Sequence, residues 1–383
     1  MRTIGTYSGV TREGKDMAAG LVFQGRSGDA GRWLLAWMLI VSALLLADVA
    51  AAQARHEPDG TVKLSIVGGL ASVTQFTRYE RPFWEREITE RSGGRITATI
   101  RPFDGGGLRG QEMLQLMRLG VVPFGTVLLS LVSGDEPELN APDLPVLNPD
   151  MTTLRRTVGA FREHLRQVLL QRYGIELLGI YVYPAQVLYC KKPFTGLDDL
   201  AGRRIRTSSV SQSELMAALG AIPVIVPFAE MVEALKTNVA DCAITGTLSG
   251  FEIGLPGVTT HVHAMALSWG LSFFGVNLAY WNTLAPDVQH IIREGVRDLE
   301  ARIWVQAEAD TKRGLACNVG EVSCNGPAAG HMTLVSSAAD EARRSRLIRE
   351  VVLPRWIERC GETCKVAWNV YLAPAHGITV GGE

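Results

Sequence analysis

Between Gly196 and Gly246 the chain alternates strand and helix signals so regularly that few folds remain open to it. Arg204-Ile-Arg-Thr207 reads as a strand. Ser211-Gln-Ser-Glu214 follows with the spacing of a capping box, in which serine and glutamate satisfy the free amides of a helix start. That helix is expected to stop at Gly220, and a strand over 222–226, a helix over 228–236 and a strand over 242–245 come next. The result is β-α-β-α-β within about fifty residues, the signature of one half of an α/β protein.

The same alternation runs through the upstream sequence. A strand over 62–67 ends at Gly68-Gly69, and Pro82 is placed to open a helix carrying Phe83, Trp84 and Ile88. Gly93-Gly94 close it, and Ile96, Ala98 and Ile100 then alternate as a strand. A helix over 113–119, an apolar run over 121–131, a proline-rich crossing over 137–149, a long helix near 154–173 and a strand over 175–182 continue the series. Downstream, Pro286 begins a helical stretch reaching about residue 313, and 338–368 is again largely helical. Residues 317–330 have no clear period and read as loop. No repeat of about 20–50 residues is visible, which disfavours a solenoid.

A length of 383 residues, 47% hydrophobic and 20% charged, suits two α/β lobes. The formal net charge of -1 argues against a nucleic-acid partner, because a phosphate-tracking surface needs a clear Lys/Arg excess. Arg26 and Arg32 precede an apolar run from Leu34 to Ala47 and a small-residue stretch ending at Ala54. This is the pattern of a secretory signal peptide over 1–54, cleaved after Ala54. The competing reading is a membrane anchor, for which the run is short beside the roughly 20 residues that span a bilayer. The long segment before the run also leaves Met17 as an alternative initiator. All six cysteines, Cys190, Cys242, Cys317, Cys324, Cys360 and Cys364, lie beyond that segment, where export favours disulfides. Six cysteines allow about fifteen pairings. Cys317 with Cys324 and Cys360 with Cys364 are close pairs, and a zinc site is the rival reading.

Several segments together resemble the periplasmic substrate-binding proteins of TRAP transporters, of the dicarboxylate-binding-protein type. They are Gly196-Leu-Asp-Asp-Leu-Ala-Gly-Arg-Arg-Ile-Arg206, Leu219-Gly-Ala-Ile-Pro-Val224, Pro227-Phe-Ala-Glu230, Glu233-Ala-Leu-Lys-Thr-Asn-Val-Ala-Asp241 and Ala141-Pro-Asp-Leu-Pro-Val146. The resemblance runs from about Val62 to Arg313. It implies a two-lobed periplasmic-binding-protein fold with a long helix spanning both lobes. In that frame 55–183 forms most of lobe I, 184–270 most of lobe II, 271–313 the crossover strand and spanning helix, and 314–383 a helical region packed on the lobes.

The resemblance places Arg206 on the position that pairs with a substrate carboxylate. Physical chemistry agrees, since a guanidinium matches a planar carboxylate and the neighbouring helix start adds partial positive charge. The alternative is that Arg203, Arg204 and Arg206 simply decorate an exposed edge. Sialic-acid-binding members carry a second arginine and an asparagine where this chain has Gln186 and Thr245, so one carboxylate held by one arginine is expected. Glutamine and threonine can still hydrogen-bond a ligand hydroxyl or amide. Gln75 and Phe76, with Thr74, follow the first strand, where ligands of α/β sheets gather, or belong to an ordinary loop. Trp269 and Phe273, with Phe274, could form an apolar wall of the site or belong to the core.

Chemistry is not expected. His261-Val-His263 lacks a third ligand at convincing spacing, Cys242 sits in an apolar run as an inert hydrophobe would, and Asp241 reads as a turn organiser. No nucleophile elbow, phosphate loop or dinucleotide fingerprint is present, so no catalytic residue, metal or cofactor is assigned. The expected protein is a periplasmic monomer that binds a small organic acid and delivers it to the membrane permease subunits of a TRAP transporter. A ligand-sensing subunit of a signalling system would share the fold, and a periplasmic enzyme is the remaining alternative.

Overall fold

The structure, a computed structural model, describes residues 60–105, 107–324 and 330–381. The expected signal peptide over 1–54 lies outside the described residues. Eleven strands among the described residues form two mixed sheets.

The first sheet has the order β2-β1-β3-β10-β4, with β1 Val62–Gly68, β2 Ile96–Pro102, β3 Phe124–Leu128, β4 Ile175–Val182 and β10 Leu271–Asn277. β1 runs parallel to β2 and β3, and β10 runs antiparallel to β3 and β4. Every residue of β3 and β10 is buried, as expected for central strands covered on both faces. The second sheet has the order β11-β9-β5-β8-β6-β7, with β5 Gln186–Cys190, β6 Arg204–Thr207, β7 Ile222–Ile225, β8 Cys242–Gly246, β9 His261–His263 and β11 Thr333–Val335.

Local signals explain most boundaries. Helix α1, Met151–Tyr173, starts where Asp150 accepts from the Thr153 amide at 2.7 Å and stops where Gly174 turns left-handed at φ 60°. Helix α2, Val210–Ala218, begins earlier than the Ser211/Glu214 capping box predicts. Ser209, in extended backbone, accepts from the Gln212 amide at 3.1 Å and is the cap. Ser211 and Glu214 instead receive Arg359, at 2.9 and 2.7 Å, and tie the C-terminal helices to the second lobe. The helix predicted to open at Pro82 already begins at Gln75, in wide turns that accommodate the proline's missing N–H.

Among the described residues the chain links the lobes three times. The chain leaves β4 through Tyr183-Pro184-Ala185 and returns to β10 through a segment whose Leu267 and Ser268 bond the backbone of Gln186. The third link is helix α4, Pro286–Val319, about 51 Å long at 1.5 Å per residue. Its Ile292, Val296, Leu299 and Ile303 pack in the first lobe's core with Trp84 and Phe274. Its Gly314 lies against helix α3, Thr247–Glu252, in the second lobe, so close that a Cβ there would sit 2.2 Å from the Leu248 nitrogen. The sequence-derived loop over 317–330 is corrected at its start, because α4 continues to Val319.

All six cysteines are paired, as Cys190–Cys242, Cys317–Cys324 and Cys360–Cys364. Cys242 is therefore not the unpaired hydrophobe its apolar run suggested. It stands directly opposite Cys190 in the β5–β8 ladder.

Candidate functional site

The three neighbouring arginines of the β6 region have three separate jobs. Arg203 donates to the carbonyls of Lys192 and Pro193. Arg204 grips Asp241 through Nε at 3.0 Å and Nη2 at 2.7 Å, while its own amide donates to the same carboxylate at 2.9 Å. Asp241 thus organises the entry to β8, as the sequence suggests.

Arg206 is different. It is 4% exposed, with Nε donating to the Val226 carbonyl at 2.9 Å and Nη1 to the Ile244 carbonyl at 2.8 Å. No carboxylate among the described residues pairs with it. Burial lowers its pKa to about 10, a sign that the guanidinium stands dehydrated and uncompensated. The exposed-edge reading of this arginine is set aside by that burial.

Arg206 lines a cavity of about 420 Å³ between the lobes. Leu70, Phe103, Asp104, Leu128, Ser130 and Leu131 border it from the first lobe, and Gln186, Ser208, Pro227, Phe228, Thr245 and Ser249 from the second. The volume and the mixture of apolar walls with a few polar groups suit a small organic ligand. Two of the expected partners are brought to Arg206 here. Gln186 has its carbonyl occupied by Gln212 at 3.0 Å, leaving its amide nitrogen without a protein partner among the described residues. Thr245 is buried in β8 with its hydroxyl likewise unpartnered among the described residues.

The other four expected residues lie elsewhere. Gln75 borders a separate void of about 20 Å³ and donates to Glu80 at 2.6 Å. Phe76 is wholly buried in the first lobe's core, in the first turn of a helix rather than a loop. Trp269 and Phe273 are also core, the former donating its indole N–H to the Asn148 carbonyl at 2.9 Å. Because β10 is covered on both faces, its aromatic residues have packed partners on either side and no open wall to form.

Sequence reasoning missed Asp104, Ser130 and Tyr183. Each stands just beyond the carboxyl end of a strand, β2, β3 and β4 respectively, and applying the strand-end rule to all strands would have found them. Tyr183 lines both voids, and burial raises its hydroxyl well above the ordinary range, so it remains a donor. The His261/His263 pair forms no metal cluster with other described residues. His263 is held between Asp340 at 3.0 Å and the Met265 amide at 2.9 Å.

Two sheets, three connections of which one is the spanning helix, and an interlobe cavity with a buried cation make up a two-lobed α/β binding-protein fold. More narrowly, residues 72–316 match the family described as bacterial extracellular solute-binding protein, family 7, and the chain belongs to it. It is a family of binding proteins and not of enzymes. A solute-binding protein of Albidiferax ferrireducens is 28% identical over 203 residues, 52% of this chain and 56% of the relative. This chain therefore matches about half the length of its curated relatives. Among solved structures, a Bordetella pertussis extracytoplasmic solute receptor binding pyroglutamic acid is 23% identical, with a TM-score of 0.71 over 81% of this chain and 99% of that one. A TRAP periplasmic solute-binding protein from Desulfovibrio salexigens, with bound orotic acid, is 18% identical, with a TM-score of 0.72 over 82% and 98% of the two chains. At these identities the two likenesses are likenesses of fold alone.

Proposed function

We propose that this protein is an extracytoplasmic receptor that captures a small organic acid by its carboxylate and delivers it to a TRAP-type permease in the membrane. The observation that carries this reading is Arg206, a buried guanidinium at an interlobe cavity with only carbonyls for partners. A carboxylate entering the cavity supplies the missing anion, and the two-pronged geometry of the guanidinium suits it. Gln186 and Thr245 then offer a donor and a hydroxyl to the remainder of the ligand. Closure of the lobes over the pair removes it from water and strengthens it, which couples binding to hinge motion. Pyroglutamic acid and orotic acid, named for the two structural neighbours, are small cyclic acids of the size this cavity accepts. The N-terminal apolar segment supports export to the periplasm through a cleaved signal.

A thermal-shift screen of organic acids tests the proposal, because a ligand that binds only the folded state raises its melting temperature. At least one monocarboxylate is expected to raise it, and Arg206→Ala to abolish the effect. Uniformly absent shifts, or shifts unchanged in Arg206→Ala, would overturn the assignment.

A further inference from the structure

The cavity holds a second charge that the carboxylate reading does not use. Asp104, half-buried beyond the end of β2, lines the wall that the first lobe contributes. Its Oδ1 accepts from the Ala71 amide at 2.9 Å, and no basic side chain among the described residues pairs with it. The other arginine at the cavity, Arg109, is exposed and already paired with Glu112 at 2.5 Å. Glu230 on the opposite rim is exposed and adds a further negative charge. The interlobe cavity thus presents an uncompensated cation from the second lobe and an uncompensated carboxylate from the first. Burial raises the Asp104 pKa, consistent with a carboxylate partly stripped of water and lacking a counter-ion.

We infer that the ligand is a zwitterion, its carboxylate on Arg206 and a cationic nitrogen at its far end on Asp104. This rests on the carboxylate reading above and deepens it. A ligand with opposite charges at its ends satisfies both walls at once, whereas a plain acid leaves the Asp104 carboxylate partly dehydrated and without a counter-ion. It also links the lobes directly, because each lobe holds one end. The apolar side chains that line the same cavity, Leu70, Leu128, Leu131 and Phe228, suit the short hydrocarbon that separates two such charges.

Calorimetry on the full receptor tests this with matched probes. One series runs from 3-aminopropanoate to 6-aminohexanoate, and the controls replace the terminal ammonium by methyl or by hydroxyl at each length. At one length or more the amino acid is expected to bind about tenfold or more tightly than both controls. Asp104→Asn keeps an acceptor for Ala71 and is expected to collapse that ratio toward one. Equal affinities for ammonium, hydroxyl and methyl probes, or a preference that survives Asp104→Asn, overturn the inference. If the methyl controls bind in an Arg206-dependent way with no ammonium preference, the zwitterion inference fails while the carboxylate reading stands. If no probe binds and the wider acid screen is also silent, both fail.

Discussion

Replacing Arg206 by methionine should separate a binding arginine from a structural one. The fall of the Arg206 pKa from its ordinary value to about 10 corresponds to about 3 kcal/mol of cost to the charged form in the folded protein. Against it stand two hydrogen bonds, to the carbonyls of Val226 and Ile244. Bonds from a charged donor contribute about 1.5 to 3 kcal/mol each, so Arg206→Met removes about 3 to 6 kcal/mol of hydrogen bonding and relieves about 3 kcal/mol of desolvation. Unliganded stability should therefore change by between nothing and a loss of about 3 kcal/mol. Ligand affinity, by contrast, should fall by about 2 to 5 kcal/mol, roughly thirtyfold to several thousandfold.

Denaturant unfolding of the free protein and calorimetry with any acid found by the screen supply the two numbers. The pH dependence adds a sign. Because the folded value lies below the unfolded one, the unfolded state holds more protons above about pH 10, and wild-type stability should rise there relative to Arg206→Met. A loss of free-state stability above about 4 kcal/mol together with near-normal affinity would refute the reasoning, since it would make Arg206 a structural residue.

Other residues yield sharper stability tests. Gly314→Ala should destabilise by more than about 2 kcal/mol in thermal or denaturant unfolding, although alanine favours helix by about 1 kcal/mol, because its Cβ would lie 2.2 Å from the Leu248 nitrogen; a neutral or stabilising result would contradict the packing of α4 on α3. The paired change Cys190→Ala with Cys242→Ala, opening a span of 52 residues, should cost about 4 kcal/mol by the chain-entropy argument, against about 2 kcal/mol for the 7-residue span of Cys317 and Cys324. The reverse ranking in denaturant titrations would defeat that argument. Asp143, fully buried, accepts from the amides of Trp269 at 2.8 Å, Gly270 at 2.8 Å and Leu271 at 3.2 Å where the chain returns to the first lobe. Burial outweighs those donors and raises its pKa to about 6, so the folded state takes up the proton first as pH falls. The stability of wild type relative to Asp143→Asn should accordingly grow by about 2 kcal/mol from pH 7 to pH 4, and a constant difference in matched unfolding curves would count against it.

What the sequence discloses and what it hides follow from the range over which each feature is decided. β4 occupies the residues its apolar run marks, Ile175–Val182, and α1 ends at Tyr173, where its helical pattern ends, because both are local decisions. Arg206 is legible for a similar reason, since strand, turn and helix cap around it lie within a few residues, although its burial is not. Cys190 meets Cys242 only through the register of two antiparallel strands, which spacing does not reveal. The aromatic residues of β10 mislead for the opposite reason. A strand covered on both faces shows no alternation, so sequence alone cannot assign its side chains to core or cavity.

The cavity is the longest-range feature, and its two charges show why the grip is easier to read than the selectivity. Arg206 takes both its hydrogen-bond partners from its own lobe, and on the proposed reading a carboxylate answers it. Asp104 acquires meaning only when the first lobe's strand ends face the second lobe across the connections at Tyr183, at Gly270 and along α4. A change at Asp104 leaves the Arg206 environment of β6 and β8 intact, so chains sharing this fold and its arginine can differ in the far end of what they bind. On the proposed reading, then, Arg206 answers the carboxylate end of the ligand, and the opposite wall of this particular cavity selects what is attached to it.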